Sequence, residues 1–127
     1  MPGESSAESA SIIQFLMKEP KPSQQIIVAV EAAAAWFENT KIKDVAYRFA
    51  GESGRLLVDV PGSSPLWARY YDIATQRPIF GDRDKTIHDN VNEISKERRN
   101  GYAWYRDTPA NALDQYSAWH KTFSLPR

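Results

Sequence analysis

The apolar positions of this chain change their period once, and the change divides it. Over the first forty residues they recur at helical intervals: Ile12, Ile13, Leu16 and Met17, then Ile26, Ile27, Val30, Ala33, Ala34 and Phe37. Ser5 and Glu8 stand at capping-box spacing ahead of the first set, and Pro20 and Pro22 end it. Ser23 is placed to cap the second set, which runs to about Asn39. The spacing predicts a helical hairpin, with Ala32 to Ala35 as a small face that a neighbouring helix can approach closely.

From Asp44 the period is two. Val45, Tyr47 and Phe49 alternate with Ala46 and Arg48, and Leu56, Val58 and Val60 with Leu57 and Asp59. Gly51-Glu52-Ser53-Gly54 between them is a reversal, since glycine supplies the positive φ that a tight turn needs. A Pro61 to Pro65 loop leads into Leu66 to Phe80, rich in aromatic residues and arginine, with short extended pieces and no long element. Ile87, Val91 and Ile94 return to helical spacing, which continues into Lys96-Glu97-Arg98-Arg99 and stops at Asn100-Gly101. An aromatic run, Gly101 to Tyr105, and a weaker helix, Ala110 to Phe123, follow. The expectation is one mainly α domain over residues 1–127, with a single small β-hairpin and irregular aromatic and arginine-rich loops.

Composition narrows the function classes. Sixteen basic residues balance sixteen acidic ones, so no overall field draws the chain to nucleic acid or an anionic membrane. The balance is nearly local: residues 1–64 hold six basic and eight acidic side chains, residues 65–127 ten and eight. The absence of cysteine removes disulfides, zinc–thiolate sites and thiol catalysis, and leaves the compartment open. No apolar run approaches the roughly 20 residues of a membrane span. The N-terminus is acidic and rich in Ser and Ala, without the order of a signal peptide, which fits a cytoplasmic protein or one whose leader is missing.

The usual catalytic templates fail. His88 and His120 are far apart and lack HxH or HExxH neighbours, and the chain contains no GxSxG elbow and no glycine-rich phosphate loop. The pairs Asp82/Asp84 and Glu93/Glu97 have the chemistry of calcium ligands or glycosidase acids, but not EF-hand order. The mixed charges from Glu93 to Arg99 read as a solvated helix face. What remains is arginine among aromatic residues between Trp67 and Arg106. Guanidinium forks bind carboxylates two-pronged and aromatic faces pack on sugar rings, so Arg69 and Arg83 suit a polymer that repeats both. Asp82 and Asp84 flank Arg83, either holding its fork or simply pairing with it.

Three segments carry a resemblance: Pro65-Leu66-Trp67-Ala68-Arg69-Tyr70-Tyr71-Asp72-Ile73, Arg77-Pro78-Ile79-Phe80-Gly81-Asp82-Arg83-Asp84, and Glu93-Ile94 through Glu97-Arg98-Arg99-Asn100-Gly101-Tyr102-Ala103-Trp104-Tyr105. Together with Glu8-Ser9, Phe15-Leu16-Met17, Ala29-Val30-Glu31 with Trp36, and Lys41-Ile42-Lys43, they resemble the C-terminal third of the family 10 polysaccharide lyases, which are pectate lyases. The resemblance implies part of an (α/α) toroid, a bacterial, secreted or periplasmic protein, and calcium-dependent β-elimination of α-1,4-polygalacturonate. It also implies that Arg69 and Arg83 bind substrate carboxylates, while Tyr102, Trp104 and Tyr105 serve packing more than sugar contact. The base arginine of the family lies just ahead of the segment matching Ser6 to Ser9, and its calcium-binding aspartates lie further upstream. The resemblance therefore assigns no catalytic residue and no metal ligand within this sequence, and points to an N-terminal lyase segment as a partner. Lys85 stands where glycine is common in the family. The alternative is a non-catalytic uronate-binding or interaction domain.

Overall fold

A computed structural model describes residues 3–123. The elements in chain order are β1 (Gly3–Ser5), α1 (Ser6–Leu16), α2 (Gln24–Thr40), β2 (Val45–Phe49), β3 (Arg55–Asp59), β4 (Trp67–Ala68), β5 (Tyr70–Asp72), β6 (Phe80–Gly81), β7 (Ile87–His88), α3 (Lys96–Gly101), β8 (Tyr105–Arg106) and α4 (Thr108–Phe123). Short 3-10 turns cover Gly51–Ser53 and Val91–Glu93.

The three long helices pack on one another. Ile13 from α1, Val30, Ala34 and Phe37 from α2, and Ala112 and Trp119 from α4 form one buried cluster, which Trp67 completes. Ser23 caps α2 as its sequence predicts, accepting from the Ile26 amide at 3.2 Å. Ser5 occupies the cap position of α1 but makes no capping bond, because it belongs to β1 and pairs with Tyr70. Ser6 instead ties α1 to the strands: its hydroxyl donates to the Ala68 carbonyl at 2.6 Å and its amide to the Arg69 carbonyl at 3.2 Å.

The second cluster is aromatic. It joins Ala68, Tyr71, Phe80, Val91, Ile94 and Trp104. Successive residues of a strand point to opposite faces; in β4 this sends Trp67 into the helical cluster and Ala68 into the aromatic one. Trp36 packs against both clusters.

These observations correct the expected architecture. An (α/α) toroid is not what the described residues form. They form three long helices, one short helix and four separate two-stranded antiparallel sheets: β1–β5, β2–β3, β4–β8 and β6–β7. Only β2–β3 was anticipated as a paired hairpin, with Gly51 and Gly54 at φ +66° and +73° as its reversal requires. The others pair segments of two or three residues, too short to leave a period; β1–β5 and β4–β8 join distant stretches of chain, and β6–β7 closes a short turn over residues 82–86. The helix expected from Ile87 to Arg99 is also broken. Ile87–His88 pairs with Phe80–Gly81, and the side chains of Asn90 and Ser95 cap two separate turns, accepting from Asn92 and Arg98 amides.

Candidate functional site

The arginine-rich surface is built on the aromatic cluster. Arg69 sits between β4 and β5, with its amide bonded to the Trp104 carbonyl at 2.7 Å. Its guanidinium carbon lies 5.3 Å from the Tyr70 ring centroid and 5.6 Å from that of Tyr102. Arg98 approaches the same Tyr102 ring at 4.4 Å and the Trp104 ring at 5.8 Å. It also donates to the Tyr102 hydroxyl at 3.1 Å and, through Nε, to the Gly81 carbonyl at 3.3 Å. Tyr102, 42% exposed, thus carries two guanidinium groups against its ring.

Gly81 begins the turn that carries Arg83. Asp82 shapes that turn by accepting from the amides of Arg83 and Ser95 at 2.8 and 2.9 Å. The Arg83 amide, with further help from Ser95, holds the Asp82 carboxyl below the usual carboxylate range. Asp84 is held low as well, first by the Thr86 hydroxyl and then by the Thr86 amide. Thr86 in turn bonds His88 Nε2 at 2.8 Å. Neither flanking aspartate takes the Arg83 guanidinium, which pairs with Glu97 of α3. Arg69 and Arg83 are therefore linked through Tyr102, Arg98 and Gly81, with α3 supplying consecutive residues, Arg98 to the middle of the line and Glu97 to its Arg83 end.

Sequence reasoning missed Arg98 by reading its segment as a solvated face. The available signal was its i,i+4 spacing to Tyr102. The same reading fails for Arg99, which is 9% exposed. Arg99 donates to the carbonyls of Arg55 and Ser53 at 2.8 Å each and to that of Ile94, while its own carbonyl accepts from Tyr47 at 2.6 Å. It fastens α3 to the β2–β3 hairpin. Asn92 and Asn100 reinforce this by occupying the outer edge of β3 at Leu57 and Arg55. Trp104 is buried and Tyr105 half-buried, both in packing positions, whereas Tyr102 is open to solvent.

A cavity of about 500 Å³ opens between the hairpin and residues 100–105, lined among others by Tyr47, Arg55, Ser64 and Tyr102. Tyr102 thus borders both this cavity and the arginine line, and neither Arg69 nor Arg83 lines the cavity. Asp82, Asp84, Glu93 and Glu97 do not converge: among the described residues no group of three or more His, Asp or Glu side chains is placed to hold a metal ion. The calcium implied by the resemblance therefore finds no ligand set among them.

Arginines stacked on aromatic rings over a mixed helix and strand frame have the chemistry to meet ligands that carry carboxylates and rings. The comparisons with known proteins make this specific. The pattern of the pectic acid lyase family matches residues 1–113, and the chain belongs to that family. The family 10 polysaccharide lyase from Cellvibrio cellulosa is similar in structure, with a TM-score of 0.74 and 30% identity over 84% of this chain and 33% of that one. An aspartate-to-alanine mutant of that lyase in complex with trigalacturonic acid gives a TM-score of 0.73 at the same identity and coverage. The chain spans about a third of the length of these solved structures. No curated protein matches it.

Proposed function

We propose that this chain acts in pectate breakdown as part of a lyase, with Arg69 and Arg83 receiving the carboxylates of α-1,4-polygalacturonate. The line of Arg69, Tyr102 and Arg98 leading to the Arg83 turn supports this reading. In β-elimination the C5 proton leaves to a base, its electrons form the C4–C5 double bond, and the C4–O4 bond breaks. The proton is acidic enough only when charge developing on the neighbouring carboxylate is offset, and a guanidinium fork performs that task. No residue is assigned as the base, and no step is routed through calcium. A protein that meets plant-wall pectate works outside the cytoplasm, so we place it in the periplasm or outside the cell. The outer face of α1, with Ile12 61% and Phe15 75% exposed, suits contact with a further lyase segment.

One observation favours a second reading, a uronate-binding domain without turnover: among the described residues no group of three or more His, Asp or Glu side chains is placed to hold a metal ion. The ultraviolet absorbance of unsaturated uronide ends separates the two. Purified chain, polygalacturonate and calcium at mildly alkaline pH should give rising absorbance, abolished by a chelator, if the chain turns over substrate. A flat trace with saturable binding of oligogalacturonate selects the second reading. No binding in any condition removes both.

A further inference from the structure

The fork of Arg83 is already occupied. Its Nη2 pairs with Glu97 Oε1, and both side chains are exposed, 68% and 65% respectively. Asp82 and Asp84, its neighbours in sequence, are directed to backbone amides and to Thr86. Glu97 is thus the carboxylate in contact with a guanidinium read above as a receiver of uronate carboxylates. Its own backbone lies in α3 beside Arg98, at the end of the line that reaches Arg69.

We propose that Glu97 is an internal stand-in for the substrate carboxylate at Arg83, displaced when a uronate binds, and that it thereby sets specificity for free over esterified uronate. The proposal rests on the reading of Arg83 as a uronate-binding residue. An exposed ion pair contributes at most about 1 kcal/mol, so an incoming anion that also gains ring contacts competes with it successfully. A methyl-esterified or neutral sugar offers the guanidinium no charge, so Glu97 keeps the fork closed against it. The contact also fixes a long, solvent-exposed arginine near the rest of the site, lowering the rotamer entropy lost when the ligand takes over.

The test is calorimetric titration of trigalacturonic acid into the wild-type chain, Glu97→Gln, Arg83→Ala and the double variant, with circular dichroism to verify folding. Glu97→Gln should bind about two- to five-fold more tightly, the equivalent of removing a competitor worth up to about 1 kcal/mol. That gain should vanish in the Arg83→Ala background, as a double-mutant cycle requires of a direct pair. Weaker or unchanged binding by Glu97→Gln, while Arg83→Ala still loses affinity, overturns the stand-in role and leaves the uronate reading intact. A gain that persists without Arg83 is a general charge effect and also overturns it. If Arg83→Ala binds as well as wild type, the uronate reading of Arg83 itself falls, and this inference with it.

Discussion

The two halves of the molecule are held together by different means. The helical half, α1, α2 and α4, is a cluster of aliphatic and aromatic side chains, with Phe37 and Val30 wholly buried and Trp67 inserted from β4. Its principal cross-link by hydrogen bonding within the cluster is Trp67 Nε1 to the Phe37 carbonyl at 2.9 Å. The strand half, from β2 to β8, has an aromatic cluster too, but side chains clamp its backbone at many points: Arg99 on three carbonyls, Tyr47 on Arg99, Asn92 on Leu57 and Asn100 on Arg55. Burial of apolar area is non-directional and tolerates small shifts; hydrogen-bonded clamps fix positions. The half that presents the arginines is the clamped one, which suits the binding of spaced carboxylates proposed for it.

The largest effects should separate the two modes. Phe37→Ala should cost about 3–5 kcal/mol in urea unfolding through the cavity it leaves, with oligogalacturonate affinity retained by the folded fraction. Arg99→Met should cost about 3 kcal/mol, by leaving buried carbonyls unpaired, and should also weaken oligogalacturonate binding, because α3 carries Glu97 and Arg98. Equal binding by the two variants would break the comparison. Next in size, Gly54→Ala should destabilise by about 2 kcal/mol, since φ +73° is unfavourable for alanine and its Cβ would lie 2.7 Å from Asn100 Oδ1. The same unfolding experiment checks it, and no change would mean that the hairpin is not clamped to α3.

A pH experiment sharpens the comparison further. The Asp82 and Asp84 carboxyls are held below the ordinary value of 3.8, chiefly by the Arg83 amide and by Thr86 respectively. A lowered folded pKa stabilises the folded turn at all pH above the unfolded value; that contribution fades as pH falls below 3.8 and is gone beneath the folded pKa. Amides of Arg83, Thr86 and Ser95 should therefore lose exchange protection on acidification before those of α2 do. Simultaneous loss would mean that the turn is not held by its carboxylates. At the alkaline end, burial pushes the Tyr47 and Tyr71 hydroxyls up to about 12, so their contribution is complete below about 10 and is lost as pH rises to about 12. The smallest expected effect is at Lys85, which stands at φ +69°. Lys85→Gly should change stability by only a few tenths of a kcal/mol, relief of the left-handed backbone being offset by the freer unfolded chain.

How much of this was legible follows from the same contrast. Periodicity found α2, α4 and the β2–β3 hairpin, because those elements bury continuous faces. It failed where a three-residue strand near the N-terminus pairs with Tyr70–Asp72, since such pairing leaves no local trace. It overran at Ile87, Val91 and Ile94, although Asn90 and Ser95 were readable as caps that divide the segment. Arg69 and Arg83 were singled out by type and by family resemblance, and the stacking of Arg98 lay within reach through its spacing to Tyr102. No local signal marks Arg99 as the arginine that turns inward. Which of two adjacent arginines turns inward is decided by carbonyls at residues 53, 55 and 94, and only the tertiary fold brings those together.

The central claim is that the arginine line receives uronate carboxylates, and the most direct measurement is the affinity of trigalacturonic acid for the wild-type chain, Arg69→Ala and Arg83→Ala. Each variant should keep the wild-type unfolding free energy within about 1 kcal/mol and lose about ten-fold or more in affinity, the worth of a charge-assisted hydrogen bond. Unchanged affinity in both folded variants would contradict the account.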